Sequence, residues 1–589
     1  MGQAYRQAGR WLLLSSLFAA VVVWTISACD RNDDEKQATG QEEEVTTPEL
    51  QQDDEENQAT TASVYNGLDD VEPIEPRDVG PEAAAIYFLS GLKGYTEPCG
   101  CTVDVLLGGI DRTVAFVDDA RSLHPAALFI DAGDWLFEAA HIPDHFEAQE
   151  SAKAEVLADA YRQMEALFSV PGNRDLAFGT EFYLSMMQRA KMEPLGANIS
   201  IEGNSLQPAK SVELDGDDVL FVAAGDPELY QEIEGVEVGD DIAAIEQAVD
   251  TVEADVVILV YQGHAARATV VAEEVEGVDF IIVGHDPRLR DVAQPVASSH
   301  LLEGYDQGRY VGRLKLYGAT HSGDFVDGRS EIHEQRDVLD EQIRQVRHDL
   351  RRLEVRTGGE QTPIADRLEE RLDDLEERRR QLLASGVDIP AQHPAFLYDL
   401  IPMEPGYRLD DSIRQRREDY NRSLAELNAD IDRDVIPVGF GEPFFVGTPK
   451  CASCHGQAHR FWEDTAHASA VATLEERHKE FDQNCIGCHV VGWEQPGGSV
   501  LGKITYEAEL GGDTFIKDLS EVGCESCHGA GSKHVRSPVG EAGEPQYIER
   551  FPGEESCMQC HVPDHSPTFD FDVYVRQITG EGHELSSSN

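Results

Sequence analysis

The chain has 589 residues, 111 of them acidic against 48 basic, for a formal charge of −63. That length exceeds what a single hydrophobic core organises, so several folded units are expected. The charge and the lack of any basic stripe exclude a nucleic-acid-binding surface; such a surface stays soluble and suits cationic partners or a salty medium.

Arg6 and Arg10 precede the apolar run WLLLSSLFAAVVVWTISA, Trp11 to Ala28, and then Cys29. Charge followed by an apolar stretch of this length reads as an export signal over residues 1–29. Ile26-Ser27-Ala28-Cys29 resembles a bacterial lipobox, in which Cys29 becomes the lipidated first residue. The alternative is an uncleaved anchor helix, since 18 apolar residues nearly span a bilayer. Both place the remainder outside the cytoplasm, on the periplasmic side of a bacterial membrane or at the cell surface, and anchored there. Residues 30–80 are acidic and poor in apolar side chains, too little to offset the entropy of ordering, and read as a tether.

From residue 81 to 330, short apolar runs end in turn signals: AAAIYFLSG, AALFIDAGD, DVLFVAAGD, ADVVILVYQGH and VDFIIVGHD. They alternate with polar helical stretches such as EFYLSMMQRAK, which predicts an α/β sandwich with its ligand loops at strand ends. Several of those ends resemble the calcineurin-like metallophosphoesterases of the 5′-nucleotidase type. The resemblance implies two metals held by Asp-x-His, Gly-Asp, Gly-Asn-His, a lone His and Gly-His-x-His. Gly91 and Lys93 stand where Asp and His belong, Arg174 replaces the catalytic histidine, and Pro287 replaces the last one. Asp134, Asn173 and His285 remain, with His264 as a substitute for the lone His. On that resemblance a two-metal clamp on a phosphoryl group is lost. A single divalent ion on Asp134, Asn173, His285 and His264, or a retained fold without metal, are the remaining readings.

Cys99 and Cys101, in EPCGC, fall where that family has its first catalytic loop. They can form a strained disulfide, bind a soft metal or stay reduced; outside the cytoplasm oxidation is favoured, and a strained bridge can exchange electrons with a haem.

Residues 331–385 carry Leu339, Ile343, Val346, Leu350 and Leu353, then Leu368, Leu372 and Leu375, at heptad-like spacing across the break RTGGEQTP. The pattern predicts an antiparallel helical hairpin, with a dimer contact as the alternative. Residues 386–445 read as a connecting segment that includes a helix, LDDSIRQRREDYNRSLAELNAD, leading into the last domain.

Residues 446–589 hold eight of the 11 cysteines as four C-x-x-C-H units. These are Cys451/Cys454/His455, Cys485/Cys488/His489, Cys524/Cys527/His528 and Cys557/Cys560/His561. A disulfide or a zinc ribbon has no use for a histidine after every pair. Covalent haem c does: two cysteines on one helical face reach the two vinyl groups of a porphyrin, and the histidine ligates the iron. Four haems are expected, supplying most of the buried apolar mass of a domain otherwise too sparse to fold.

Ten of the 20 histidines follow residue 450. His467, His534, His459, His565 and His583 are candidate distal ligands, while His478, in LEERHKEF, reads as solvent-facing. The text CASCHGQAHRFWEDTAHASA, CIGCHVVGWEQPGG, VGCESCHGAGSKH and CMQCHVPDHSPTFDF resembles the tetrahaem cytochrome c-554/c-prime family. The resemblance implies distal roles for His467, beside Trp462 and Thr465, and for His534.

The expectation is therefore a multidomain α/β + α chain: a metallophosphoesterase-like sandwich, a helical hairpin and a mainly helical multihaem cytochrome c domain. Electron transfer with redox partner proteins of basic surface is the expected function, and the acidic field should lower the haem potentials. Two alternatives stand beside it: a haem-dependent oxidoreductase of a small nitrogen or sulfur compound, and an active phosphoesterase with accessory haems.

Overall fold

The computed structural model describes residues 73–74, 83–99, 106–321, 323–357, 362–384, 387, 389–390, 392–428, 433–510, 512–536, 547–562, 566, 569–580 and 582–583. The export segment with Cys29, the acidic tether apart from Pro73 and Ile74, the side chain of Cys99, and all of Cys101 and His565 lie outside the described residues. Among the described residues no helix is long and apolar enough to cross a membrane.

Two sheets face each other in the front unit. The first has seven strands in the order Val326–Asp327, Ala395–Pro402, Tyr310–Tyr317, Ala85–Leu89, Leu128–Asp131, Phe168–Ser169 and Glu193–Pro194. The second has six, in the order Leu289–Val296, Ser299–Gly304, Phe280–Val283, Val256–Gln262, Asp217–Gly225 and Ala209–Leu214. The strand VVILVYQ shows why this sequence makes a sandwich. It pairs in parallel on both sides and is buried along its whole length, hence its unbroken apolar character. Val256, Ile258 and Val260 enter the core between the sheets with Phe129, Phe168 and Phe221. Val257, Leu259 and Tyr261 point the other way, under the helices Asp241–Val249 and Ala265–Glu274. Each such aliphatic side chain contributes roughly 1.5–3 kcal/mol by leaving water.

The parallel strands end at one edge of the sandwich, and their loops converge there. Gly91 N–H donates to the Gly133 carbonyl at 3.1 Å, and Lys93 N–H to that of Asp134 at 2.7 Å. A Cβ on Gly172 would overlap the Asp134 carboxylate, and one on Gly284 would overlap the Ala132 carbonyl. The loops close this tightly only because both residues lack a side chain.

The helices Ser330–Thr357 and Pro363–Ala384 form an antiparallel hairpin. Ile343, Val346 and Leu375 are its buried seam, flanked by Leu339, Leu350, Leu368 and Leu372. Arg379 Nε donates to Asp340 at 2.6 Å and Arg347 Nη2 to Glu376 at 2.8 Å.

One boundary differs from the expectation. Residues 386–445 are not only a connection, because Ala395–Pro402 returns to the first sheet and pairs antiparallel with Tyr310–Tyr317 over its whole length. The hairpin is thus an insertion between two neighbouring strands. Ala395, Phe396, Leu397 and Tyr398 are buried, so sheet completion decides the outcome. The following helix, Asp411–Leu427, is capped by Asp410, whose carboxylate accepts from the N–H groups of Ser412 and Ile413. Its Tyr420 and Leu424 pack on Val156 of the helix Glu147–Gln163.

The C-terminal part consists of short helices, among them Thr448–Ala452, Gly456–Glu463, Gln483–Ile486, Cys524–His528, Ser532–Arg536 and Glu554–Cys557. One antiparallel hairpin, Thr505–Leu510 with Asp513–Asp518, interrupts them. Its own apolar clusters are small: Val471, Leu474, Ile486, Val490 and Leu501 in one, Phe445, Val491 and Leu519 in another. Helices of one or two turns are not stable by themselves, so this part needs mass from elsewhere.

Candidate haem centre

Each motif sits on one short turn, which puts its two thiols on a common face with the histidine just beyond. Glu525, inside the third motif, is buried and accepts from the N–H groups of Val446, Gly447 and Gly531 at 2.7–3.0 Å. It ties the third motif to the entry of the first, where the Cys451 and Cys524 sulfurs are hydrogen-bonding neighbours. The Cys488 and Cys560 sulfurs are neighbours in the same way. The first motif thus neighbours the third and the second neighbours the fourth, while Cys527 of the third also lies within electrostatic reach of Cys557 and Cys560 of the fourth.

The motif thiols differ in exposure at Cys454. It is exposed, whereas Cys451, Cys485, Cys488, Cys524, Cys527, Cys557 and Cys560 are half-buried. The reason lies in the local chain. Cys454 follows the end of the helix Thr448–Ala452 on a turn at the protein's surface, where its sulfur accepts from the equally exposed Ser453 hydroxyl at 3.8 Å.

The imidazoles carry the strongest geometric signal. Two histidines ligating one iron from opposite faces, each at a metal–nitrogen distance of about 2 Å, put their ring centroids roughly 6 Å apart. His455 and His534 are 6.2 Å apart, and His467 and His561 are also 6.2 Å apart. His489 Nδ1 lies 2.5 Å from the Ala470 carbonyl and His528 Nδ1 lies 2.6 Å from that of Glu549. A carbonyl only accepts, so Nδ1 carries the proton in both rings and Nε2 keeps its lone pair for a metal. His561 Nδ1 meets the Ser566 hydroxyl at 3.0 Å. Burial pushes the pKa of His467, His561 and His583 down, which keeps those rings neutral and able to ligate.

The other sequence candidates divide. His583 is within electrostatic reach of His528 and His455, and its Nδ1, like that of His534, is a buried atom without a hydrogen-bond partner among the described residues. His459 is not aligned with a motif histidine: it pairs with Glu463 at 3.3 Å and packs on Trp462. His478 is exposed. Trp462 and Thr465 hold the His467 segment, Trp462 Nε1 donating to the Val522 carbonyl at 3.0 Å and Val522 N–H to that of His467 at 3.1 Å.

A cavity of about 2500 Å³ opens among the second, third and fourth motifs, lined by Cys485, Cys488, His489, Cys527, His528, Cys557, Cys560 and His561. Single small-molecule sites run to about 300–1,000 Å³, so this space suits several large groups together. Thiols in pairs, aligned imidazoles, orphaned ring nitrogens and a large chamber fit covalent haem c. The front unit forms its opposite wall through Lys93 to Pro98, Lys153 and Tyr420, a composite arrangement with no local sequence signal.

The front unit's own loop cluster does not fit a metal. Asp134 and His285 meet at 2.6 Å, and His264 stacks edge-on to His285 at 4.6 Å between centroids. His264, His285 and Asp286 bring ligand atoms within 4.8 Å of one another. The Asn173 Oδ1 atom is buried without a partner among the described residues. However, Arg174 Nη1 donates to Asp134 at 2.9 Å, stands 3.5 Å from His285 Nδ1, and Nη2 reaches Asp286 at 2.9 Å. Lys93 completes the set, 2.7 Å from Asp306 and 3.0 Å from Asp286. Two built-in cations thus stand among the carboxylates that a divalent ion would need, which corrects the single-ion reading on Asp134, Asn173, His285 and His264. Burial pushes the Asp286 carboxyl up, but Arg174 and Lys93 outweigh it and hold it at about 2. Asp131 and Asp175 were missed by sequence reasoning. Asp175 accepts from the N–H groups of Asp134, Trp135, Leu136 and Gly172, and burial raises its pKa.

Comparison with known proteins bears on the C-terminal part of the chain. Residues 450–529 match the family model for cytochrome c554 and c-prime. Cytochrome c-554 of Nitrosomonas europaea is 30% identical over 151 residues, covering 20% of this chain and 57% of the relative. The chain therefore spans little more than half the length of that relative. Solved structures similar to the chain include the sulfate thiohydrolase SoxB of Thermus thermophilus, at 13% identity and TM-score 0.41, covering 63% of this chain and 64% of that one. A 5′-nucleotidase precursor, also of Thermus thermophilus, has 11% identity and TM-score 0.41, covering 79% and 94%. The NAD nucleotidase of Haemophilus influenzae has 17% identity and TM-score 0.34, covering 40% and 53%. No activity follows from likenesses of this size. The C-terminal part of the chain is similar to the cytochrome c-554 family, and that likeness supports covalent haem c and a haem electron-transfer role for it.

Proposed function

We propose that the protein is an extracytoplasmic, membrane-tethered electron carrier in which four covalent haems form a conducting row. The observation that carries this reading is the alignment of His455 with His534 and of His467 with His561 at the spacing of two axial ligands. Haem, when bound, supplies the one-electron couple. The chain's residues do the rest. Eight thiols fix the porphyrin edges, Cys454 from the surface, the motif histidines present Nε2, and His467 and His534 close the opposite faces. The N-terminal apolar run supports export and anchoring, and the charge of −63 supports a basic redox partner. Arg174 and Lys93 within the loop cluster support a non-hydrolytic front unit that walls the haem chamber. A pyridine haemochrome assay with redox titration tests the reading: four haems per chain and low-spin reduced spectra are expected, and a colourless folded protein carrying zinc would sink it.

The chamber itself favours a second reading, a haem-dependent oxidoreductase of a small nitrogen or sulfur compound, because charged side chains such as Glu97, Lys153 and Lys479 line it beside the motifs. Nitric oxide binding to the reduced protein separates that reading from simple electron transfer.

A further inference from the structure

The front unit does more than lean on the haem domain: it grips the turn that carries the second motif. Asp482, three residues before Cys485, accepts from Gln149 Nε2 at 2.8 Å; Asn484 Nδ2 donates to Glu150 at 2.8 Å. Gln149 and Glu150 belong to the helix Glu147–Gln163, and both are buried.

Glu97 lies at the other side of the same turn. Its Oε2 pairs with Arg417 Nη1, its Oε1 accepts from Asn421 at 3.0 Å, and Lys479 and Arg477 each approach to 3.7 Å. Lys479 and Asp482 are themselves 3.5 Å apart, and Asp482 N–H donates to the Lys479 carbonyl at 2.9 Å. The Cys485 sulfur lies within the electrostatic reach of Asp482, Lys479 and Glu97 together. Glu97 and Lys479 both line the chamber beside Cys485, Cys488 and His489. Glu97 is therefore a front-unit carboxylate placed to offset the haem-domain cations Lys479 and Arg477 next to the second haem attachment.

We propose that the front unit is part of the second haem's site, and that Glu97 is the positioning residue through which it holds that haem's potential down. The inference rests on the haem reading given above. Ferric haem carries one more positive charge than ferrous haem, so nearby surplus cations favour reduction. With Glu97 ionised, Lys479, Arg477 and Arg417 are compensated. Without it Lys479 keeps Asp482 and Arg417 keeps Asp111, but one negative charge is lost beside the turn, and in a buried setting that change reaches the iron with little screening. Against burial, Lys479 and Arg417 hold the Glu97 carboxyl at about 2, so the compensating charge is present throughout the physiological range.

The test uses full-length holoprotein from a cytochrome-maturing host, titrated spectroelectrochemically. In Glu97→Gln one of four redox waves is expected to move to higher potential while three stay. Glu97→Asp should return it, and Lys479→Gln should move the same wave to lower potential. That opposite sign marks a charge effect, because a merely loosened fold would shift both variants alike. The wave should be missing from a Cys485→Ala/Cys488→Ala variant. Unchanged waves in Glu97→Gln and Lys479→Gln, a common shift of all four, or a moving wave that survives loss of the second motif would each overturn the inference. A pyridine haemochrome count on every variant keeps the two levels apart. Four haems with unmoved potentials defeat the role of Glu97 alone, whereas a wild type without haem defeats the underlying reading.

Discussion

His534, on the short helix Ser532–Arg536, stands 6.2 Å from His455 of the first motif, with the ring planes 25° apart. The third motif thus reaches, through the residues that follow it, toward the iron of its neighbour, the first motif. His534 Nδ1 is buried without a hydrogen-bond partner among the described residues, so that ring is not held by a competing bond there. His534→Ala is expected to keep four haems by pyridine haemochrome and to convert one from low-spin to high-spin in electronic and paramagnetic resonance spectra. His467→Ala should convert a different one, and His459→Ala none, since His459 faces Glu463. Unchanged spectra in both of the first two variants would refute the ligand pairs.

Attachment of one porphyrin by each motif gives a count that can be checked directly. Cys557→Ala/Cys560→Ala should lower the haem content from four to three per chain, with a matching loss of one haem in the intact mass. The C-terminal apolar clusters are too small to hold their short helices unaided. The variant should therefore also become more susceptible to limited proteolysis between residues 446 and 589, while the front unit stays resistant. Retention of four haems would show that the motif is not an attachment site.

Arg174 and Asp134 meet at 2.9 Å inside the front unit, with the Asp134 side chain fully buried. Removing one partner of a buried pair leaves an uncompensated charge, at a cost of about 3–5 kcal/mol. Arg174→Ala should lower the melting temperature of the front unit markedly and Arg174→Lys less so. Chelation with EDTA should leave the melting temperature of the wild type unchanged, and elemental analysis should find no stoichiometric divalent ion. Metal-dependent phosphate release from a nucleotide would reverse this assignment.

What was legible in the sequence follows the length scale of each signal. The buried strands were readable because VVILVYQ or AIYFL leaves no alternative to two-sided burial. The hairpin was readable because Leu339, Ile343, Val346 and their partners repeat over several turns. The four motifs were readable because covalent chemistry fixes their spacing, but spacing alone does not tell that Cys454 ends its turn in solvent. Ala395–Pro402 was not readable, since a single short run gains its identity only from the partner strand Tyr310–Tyr317, which lies beyond an inserted hairpin. The cation substitution was half legible: Arg174 and Lys93 showed that ligands were missing, but only the fold shows both side chains turned into the site. Glu97 carried no signal at all, because its partners Arg417, Arg477 and Lys479 lie more than 300 positions away.

The same carboxylate sets a pH dependence of known sign. Burial pushes Glu97 up, yet Lys479 and Arg417 bring it from 4.5 to about 2 in the folded chain. A group whose folded pKa is depressed contributes stability that is fully present above its unfolded value and lost as pH falls through the folded one. The pH window is therefore 4.5 down to about 2, and the contribution is on the order of 3 kcal/mol. Asp131 has the opposite sign: burial outweighs its bonds to Tyr161 and Ser169 and pushes it up to about 7. Its contribution is complete below the unfolded value of 3.8 and is lost as pH rises toward 7, so the two windows hardly overlap. Chemical denaturation of wild type and Glu97→Gln across pH 2–8 should give a stability difference that is constant above pH 4.5 and closes toward pH 2. Wild type against Asp131→Asn should instead diverge between pH 4 and 7, the wild type losing stability as pH rises. A Glu97→Gln difference that stays constant down to pH 2 would mean that this carboxylate is not held ionised by the cations around it.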